Sequence, residues 1–266
     1  MIKGIENKEE IMAFISDIAD DECYSTPLYD KDKAVEIIEK DDCFCIGSYK
    51  DGKIRGAFCF LEIEEEKYLE SMFLYSRNES SYREMLTYLK KHYPSYEAWF
   101  VLNPQNKILR NLLAEKGAYF YTEQSYMEFT GKEPADPEGV IPYDEKYREA
   151  YIALHSDDAY WSGEKMLEAQ DRFKIFLYKK DNDLAGYIDV STGSGVNEIF
   201  DILIASEYRR QGIGGLLVDK AVREHGGDKL ILTVDIDNEP AIGLYRKKGF
   251  REIPRNSMLT AKYRVW

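Results

Sequence analysis

Residues 209–215 read RRQGIGG and stand between an apolar run, EIFDILIAS, and a helix-like stretch, GIGGLLVDKAVREH. Glycines at 212, 214 and 215 carry no Cβ, so the backbone there is open to close approach by a ligand. A helix that starts in such a turn aims its free N–H groups and the positive end of its dipole at one spot. Two adjacent arginines add full charge, and the chemistry on offer is anion binding. A Walker A loop is excluded, because Gly214-Gly215-Leu216 lacks the Lys and Ser/Thr that reach phosphate and magnesium. A dinucleotide fingerprint is excluded as well: G-x-G-x-x-G would need glycine where Leu217 stands, and the turn comes late in the chain. A structural turn, in which the glycines only seat the helix on its strand, uses the same residues.

A second stretch, HSDDAYWSGE from His155 to Glu164, sets Asp157 and Asp158 beside Tyr160 and Trp161. Carboxylates supply charge for a cation and aromatic faces seat its alkyl part. A helix cap followed by a core tryptophan reads the same way, and His155 reads as a structural histidine. The net charge is −13, with about −9 of it in residues 1–130. Such a chain repels a polyanion and accommodates a cationic small molecule or peptide amine, so nucleic acid is not an expected partner. No run approaches the roughly 18 apolar residues of a membrane helix. The N-terminal MIKGIENKEEIMAF has no apolar signal core, so a cytoplasmic chain without a membrane partner is expected. Cys23, Cys43, Cys45 and Cys59 have neither zinc nor disulfide-framework spacing and read as reduced thiols, so no metal is expected.

Positioning these residues takes alternating elements. FKIFLYKK and LAGYIDVST form a strand pair around DND; the strand EIFDILIAS, the helix, the strand KLILTVDID and the short helix EPAIGLYRKKG follow. FREIP and SMLTAKYRVW read as a closing pair. The first half repeats this order, from a hairpin around Asp51-Gly52 to NKILRNLLAEKGAYFY. Asn106 and Asn238 each stand eleven residues before a glycine, Gly117 and Gly249, which with the matching order indicates an internal duplication. The Pro/Gly-rich TGKEPADPEGVIP at 130–142 predicts the boundary, giving domains 1–132 and 139–266. The expected fold class is α/β (α+β mixed sheet), with helices packed over each sheet.

Arg209-x-x-Gly212-x-Gly214 resembles the acyl-CoA signature of the GNAT superfamily of N-acetyltransferases. NEPAIGLYRKKGF resembles that family's second motif, with Asn238, Ala241, Tyr245, Lys248, Gly249 and Phe250 at family spacing. The resemblance covers about residues 140–266 and makes the first half a degenerate second copy. It implies two mostly antiparallel mixed sheets, each with a splayed parallel strand pair and helices on both faces. Acetyl-CoA would bind in the splayed cleft as acyl donor, with no metal. The backbone of Ile202, Leu203 and Ile204 would hold the pantetheine arm. The amides of Arg210, Gln211, Gly212, Ile213, Gly214 and Gly215 would cradle the pyrophosphate, with charge from Arg209 or Arg210. Asn238 would bond the pantetheine, and Lys248 belongs to the same cofactor-binding set.

The resemblance also implies roles in the reaction. Tyr245 occupies the position of the general acid, or is an aromatic packed beside Leu244. Glu198, eleven residues before Arg209, stands at the register of a general base acting through water, or is a solvated strand start. Asp201, of opposite strand parity to Glu198, lines the acceptor pocket or faces solvent. Asp157, Asp158, Tyr160 and Trp161 fall where the family's first two helices close over the acceptor. The implied activity is acetyl transfer to a primary amine of a small molecule or peptide by a monomer or homodimer; a non-catalytic acetyl-CoA sensor is the alternative. In the first half SRNESS replaces the glycine turn and Leu113 stands at the register of Tyr245, so no CoA is expected there.

Overall fold

The computed structural model describes residues 1–5, 8–18, 37–38, 40–155, 162–181, 183–193, 195–225 and 227–266. The chain forms two compact units, residues 1–125 with 254–266, and residues 126–253. Unit 1 contains β1 (Ile2–Gly4), β2 (Cys43–Lys50), β3 (Lys53–Ile63), β4 (Tyr68–Ser76), β5 (Glu97–Leu102), β6 (Tyr119–Phe120) and β14 (Leu259–Arg264). Their order across the sheet is β1-β2-β3-β4-β5-β14-β6. Unit 2 is built on β7 (Gln124–Phe129), β8 (Val140–Pro142), β9 (Phe173–Lys180), β10 (Asp183–Thr192), β11 (Val196–Ile204), β12 (Lys229–Asp235) and β13 (Phe250–Glu252). Here the order is β13-β7-β12-β11-β10-β9-β8. The two orders superimpose position by position, as the repeated element order predicts.

The strand next to the edge is exchanged. β14 pairs with β5 from Leu259↔Leu102 to Arg264↔Glu97 in unit 1. The equivalent place in unit 2 is filled by β7, which pairs with β13 at Phe250↔Phe129 and neighbours β12. FREIP and SMLTAKYRVW are therefore not a closing pair, and the units divide at 125/126 and 253/254 rather than within 130–142. A strand's periodicity records that one face is buried, not which sheet buries it.

Each sheet is covered on both faces. In unit 1, α1 (Lys8–Ile18) buries Ile11, Ile15 and Ile18 against Ala57, Cys59 and Phe73. On the other face, α2 (Glu79–His92) and α3 (Lys107–Glu115) bury Tyr82, Leu89, Leu109 and Leu113. In unit 2, α4 (Arg148–Leu154) and α5 (Gly163–Glu168) cover one face, while α6 (Ile213–His225) and α7 (Glu239–Lys247) cover the other. No helix among the described residues is long and apolar enough to cross a membrane.

The repeated Asn–Gly spacing is a helix with both ends marked. Asn106 Oδ1 accepts from the N–H of Leu109 at 3.1 Å, and Asn238 Oδ1 from that of Ala241 at 3.2 Å. Beyond the helices, Gly117 and Gly249 take φ of 76° and 95°, the left-handed exit that glycine favours. A Cβ at Gly117 would meet open space, whereas one at Gly249 would lie 2.8 Å from the Cα of Gly131. Gly117→Ala is thus expected to cost only the left-handed strain, about 1–2 kcal/mol. Gly249→Ala should cost more, because backbone must move. Urea unfolding of the two variants reads the difference.

Candidate functional site

β11 and β12 pair in parallel from Val196↔Lys229 to Ile199↔Leu232 and then part. β11 runs on to Ile204, still paired with β10. Its pairing with β10 passes from Val190↔Ile199 to Asp189↔Asp201, so Phe200 is the extra residue of a bulge. Unit 1 has a bulge in the same place, at Met72, between the pairs Cys59↔Phe73 and Phe60↔Ser71. The bulge reverses the face alternation beyond it. Glu198 and Asp201, opposite in simple strand parity, share one face.

A cleft of about 670 Å³ opens where the strands part, lined by Ile202, Leu203, Ile204, Arg209, Arg210, Gly212 to Gly215, Asn238 and Tyr245 among others. At the turn, Arg210 and Gly212 have φ of 63° and 83°, and α6 begins at Ile213. Gly212 is needed for its φ. At Gly215 a Cβ would stand 3.0 Å from Cε of the Lys248 side chain, which packs over the turn. The N–H groups of Gly212, Ile213 and Gly214 have no acceptor among the described residues. Arg209 Nε donates to the carbonyl of Ile204 at 3.0 Å. Neither Arg209 nor Arg210 is paired with a carboxylate among the described residues, although acidic residues outnumber basic ones in this chain. Free amides and two unneutralised cations on one concave surface make an anion site.

The other sequence-predicted residues divide. Tyr245 is 5% exposed, its ring edge-on to Phe250, and its hydroxyl has no acceptor among the described residues. Burial first, and the charge of Asp201 second, push its phenol up, which keeps it protonated. Asn238 reaches the cleft, with its carbonyl oxygen spent on the helix cap. The N–H of Ile202 is taken by Asp201 Oδ1 at 2.8 Å. Lys248 lies over Gly215 and is ion-paired with Asp219, and the Gln211 side chain accepts from Lys180. In both cases a nearer protein partner of opposite polarity holds the side chain. Asp157, Asp158, Tyr160 and Trp161 lie outside the described residues.

Glu198 sits in the paired part of β11, opposite Ile231, and burial alone raises its carboxyl above the usual range. The folded protein holds that proton more tightly than the unfolded chain, whose glutamates titrate near ~4.3. The stabilising contribution is present at low pH and is lost as pH rises from there through the folded value. Glu198→Gln is expected to leave Tm unchanged near pH 4 and to raise it increasingly toward pH 7, followed by calorimetry.

The face shared by Glu198 and Asp201 carries a cluster that strand patterning alone did not reveal. His155 Nε2 lies 3.0 Å from Asp189 Oδ2 and its Nδ1 lies 3.8 Å from Asp201 Oδ2. The Nε2 contact has ion-pair distance without hydrogen-bond alignment, which leaves both buried atoms without an aligned partner. Tyr151 donates to Asp189 Oδ1 at 2.9 Å and Tyr187 to Asp201 Oδ2 at 2.6 Å. Asp189 is fully buried, and burial pushes its carboxyl up to about 6 against the opposing pull of His155. The signal lay in LAGYIDVST, an aspartate inside an otherwise buried strand.

Unit 1 closes the equivalent space. Tyr82 donates to the carbonyl of Ser76 at 2.9 Å and accepts from Asn106 Nδ2 at 2.9 Å, and both residues are buried. Its turn is tied down by Asn78 N–H on Ser76 Oγ, and the arginine it carries, Arg77, is ion-paired with Asp17 at 3.0 Å.

A mixed sheet with a parted parallel pair and an anion-binding turn at the head of the next helix defines a cofactor-cleft architecture. Residues 141–250 match the profile of the Acetyltransferase (GNAT) family. Streptothricin acetyltransferase A of Bacillus subtilis is 30% identical over 123 residues, covering 44% of this chain and 69% of that protein. The mycothiol acetyltransferase of Corynebacterium glutamicum is 33% identical over 106 residues, 36% of each chain. The chain thus spans about a third of the length of that relative. A GCN5-related N-acetyltransferase structure from Sphaerobacter thermophilus shares the fold, with TM-score 0.73 at 12% identity, over 100% of this chain and 95% of the other. The chain belongs to the GNAT family of acetyltransferases.

Proposed function

We propose that this chain transfers the acetyl group of acetyl-CoA to a primary amine of a small molecule or peptide, with one acetyl-CoA bound in unit 2. The observation that carries the reading is the cleft itself, with free amides and unpaired arginines at the turn and the Tyr245 hydroxyl in its wall. The pyrophosphate would lie on the amides from Gly212 to Gly214 beside Arg209 and Arg210. The amine nitrogen attacks the thioester carbonyl, the C–N bond forms, the nitrogen sheds its second proton, the C–S bond breaks and CoA leaves, its sulfur taking up that proton. Tyr245 donates a hydrogen bond to the developing sulfur charge, and its raised phenol keeps that proton available. An alkylammonium must lose a proton before attack, since its pKa is about 10. Glu198, the base expected from the sequence, shares with Asp201 the face of β11 from which a carboxylate would take it. The names of the relatives, mycothiol acetyltransferase and streptothricin acetyltransferase A, fit a small-molecule acceptor.

The test is titration calorimetry with acetyl-CoA, followed by thiol-reagent detection of CoA release from a panel of spermidine, kanamycin, lysine and an alanyl peptide amide. One site per chain and release with at least one amine are expected. Binding without release from any acceptor returns the protein to the sensor alternative.

A further inference from the structure

We propose that Asp201, His155 and Asp189 form a proton relay that docks the ammonium of the acceptor and takes up the proton it must lose. This rests on the acetyl-transfer reading above. Asp201 is the outer member. Its side chain is 44% exposed, it adjoins Ile202 in the cleft wall, and its charge acts on Tyr245. Both its oxygens are oriented, Oδ1 by the N–H of Ile202 and Oδ2 by the Tyr187 hydroxyl. His155 is the middle member, with a side chain 3% exposed. Tyr187 stacks on its ring at 4.2 Å, Tyr151 meets it edge-on at 4.6 Å, and Gly163 of α5 leaves the room that a Cβ would take. Asp189 is the inner member, with no exposed surface.

Among the described residues these are the titratable groups that α4, β10 and β11 bring to the imidazole, and Gly163 of α5 packs against it. Burying the Asp189 carboxylate and the imidazole among tyrosines stabilises a fold less than apolar side chains of the same volume would. A continuous line from a half-exposed carboxylate to a buried one has a use beyond packing. The two ring nitrogens have different nearest carboxylates, Nε2 that of Asp189 and Nδ1 that of Asp201, so the imidazole bridges the two aspartates.

The step balances without a further reactant. Asp189 favours the tautomer with the proton on Nε2, which leaves the Nδ1 lone pair toward Asp201. The ammonium N–H bond breaks as an O–H bond forms on Asp201, and that proton passes to Nδ1, making an imidazolium between two carboxylates. The freed amine attacks the thioester, and the second proton it sheds as the C–N bond forms goes to the CoA sulfur as the C–S bond breaks. After CoA departs, the proton returns through the exposed edge of Asp201 to solvent. The 3.8 Å gap must shorten when substrate binds, as catalytic hydrogen bonds commonly do. Asp201 touches substrate, whereas His155 and Asp189 act through it as positioning residues.

The experiment compares His155→Gln, Asp189→Asn, Asp201→Asn and Glu198→Gln with the wild type. Acceptors are the fastest alkylammonium of the panel above and hydroxylamine, which is unprotonated at neutral pH. Thermal unfolding and acetyl-CoA stoichiometry are checked for each variant. His155→Gln and Asp189→Asn are expected to lower kcat with the alkylammonium about 10²-fold at pH 7. KM should change little, the loss should shrink toward pH 9.5, and hydroxylamine turnover should stay near wild type. Asp201→Asn should also raise KM for the cation about tenfold or more, and being half-exposed it carries the comparison if the buried variants do not fold. Equal losses with both acceptors, or one constant factor at every pH, overturn the relay in favour of a structural role. A pH-dependent loss in Glu198→Gln alone overturns it in favour of Glu198. A wild type that releases CoA to neither acceptor overturns the acetyl-transfer reading, and the relay with it.

Discussion

Tyr245→Phe is expected to lower kcat for acetyl transfer by about 10²–10⁴-fold while leaving the Kd for acetyl-CoA within about twofold. The ring is buried against Phe250 and supplies packing that phenylalanine keeps. Only the hydroxyl is lost, and it has no acceptor among the described residues, so nothing buried is left unpaired by the change. The phenol is pushed up by burial and by the charge of Asp201, so it remains a donor across neutral and mildly alkaline pH. No fall in kcat from Tyr245 ionisation should therefore appear below about pH 10, the ordinary tyrosine value. Rapid-quench measurement of the chemical step reads the effect. A variant with full kcat while chemistry limits the rate assigns Tyr245 to packing alone.

Gly214→Asp should weaken acetyl-CoA binding by at least about 10²-fold, the order of loss for an unpaired charge facing a ligand anion without water between them. Modest steric cost accompanies it, because a Cβ there meets Leu244 at 3.4 Å, an ordinary contact. Gly214→Ala is the control and should bind nearly as well as the wild type. In unit 1, Ser80→Asp puts the same charge into the first turn of α2 and should leave the calorimetric titration unchanged. Two sites per chain, or undiminished binding by Gly214→Asp, would move the cofactor away from this turn. Binding to the wild type should also weaken with added salt, since Arg209 and Arg210 are exposed and screened.

The residues that carry the cleft were legible because their signals are local. A φ above zero at Gly212, the cap at Asn238 and the exit at Gly249 are each decided within a few residues of backbone. The duplication was legible for the same reason, since Asn106 and Gly117 repeat that pair. The partners of the Lys248 and Gln211 side chains, Asp219 and Lys180, were not legible, because a motif position fixes a Cα, while the charge nearest in space fixes where a long side chain ends.

By itself the amino-acid order determined the two sheets with their covering helices, the glycine turn, the capped helix after β12 and the loss of the turn in the first half. These follow from periodicity, turn chemistry and caps, which act over short stretches of chain. Only the tertiary structure decided that β7 and β14 change places, because neighbouring strands in a sheet are chosen by long-range pairing. Only it set Glu198 and Asp201 on one face, because a one-residue bulge at Phe200 reverses the alternation and leaves no mark in hydrophobic pattern. And it joined His155 to Asp189 and Asp201 across 34 and 46 residues of sequence, since burial excludes water there and brings charges from separate elements into one low-dielectric contact.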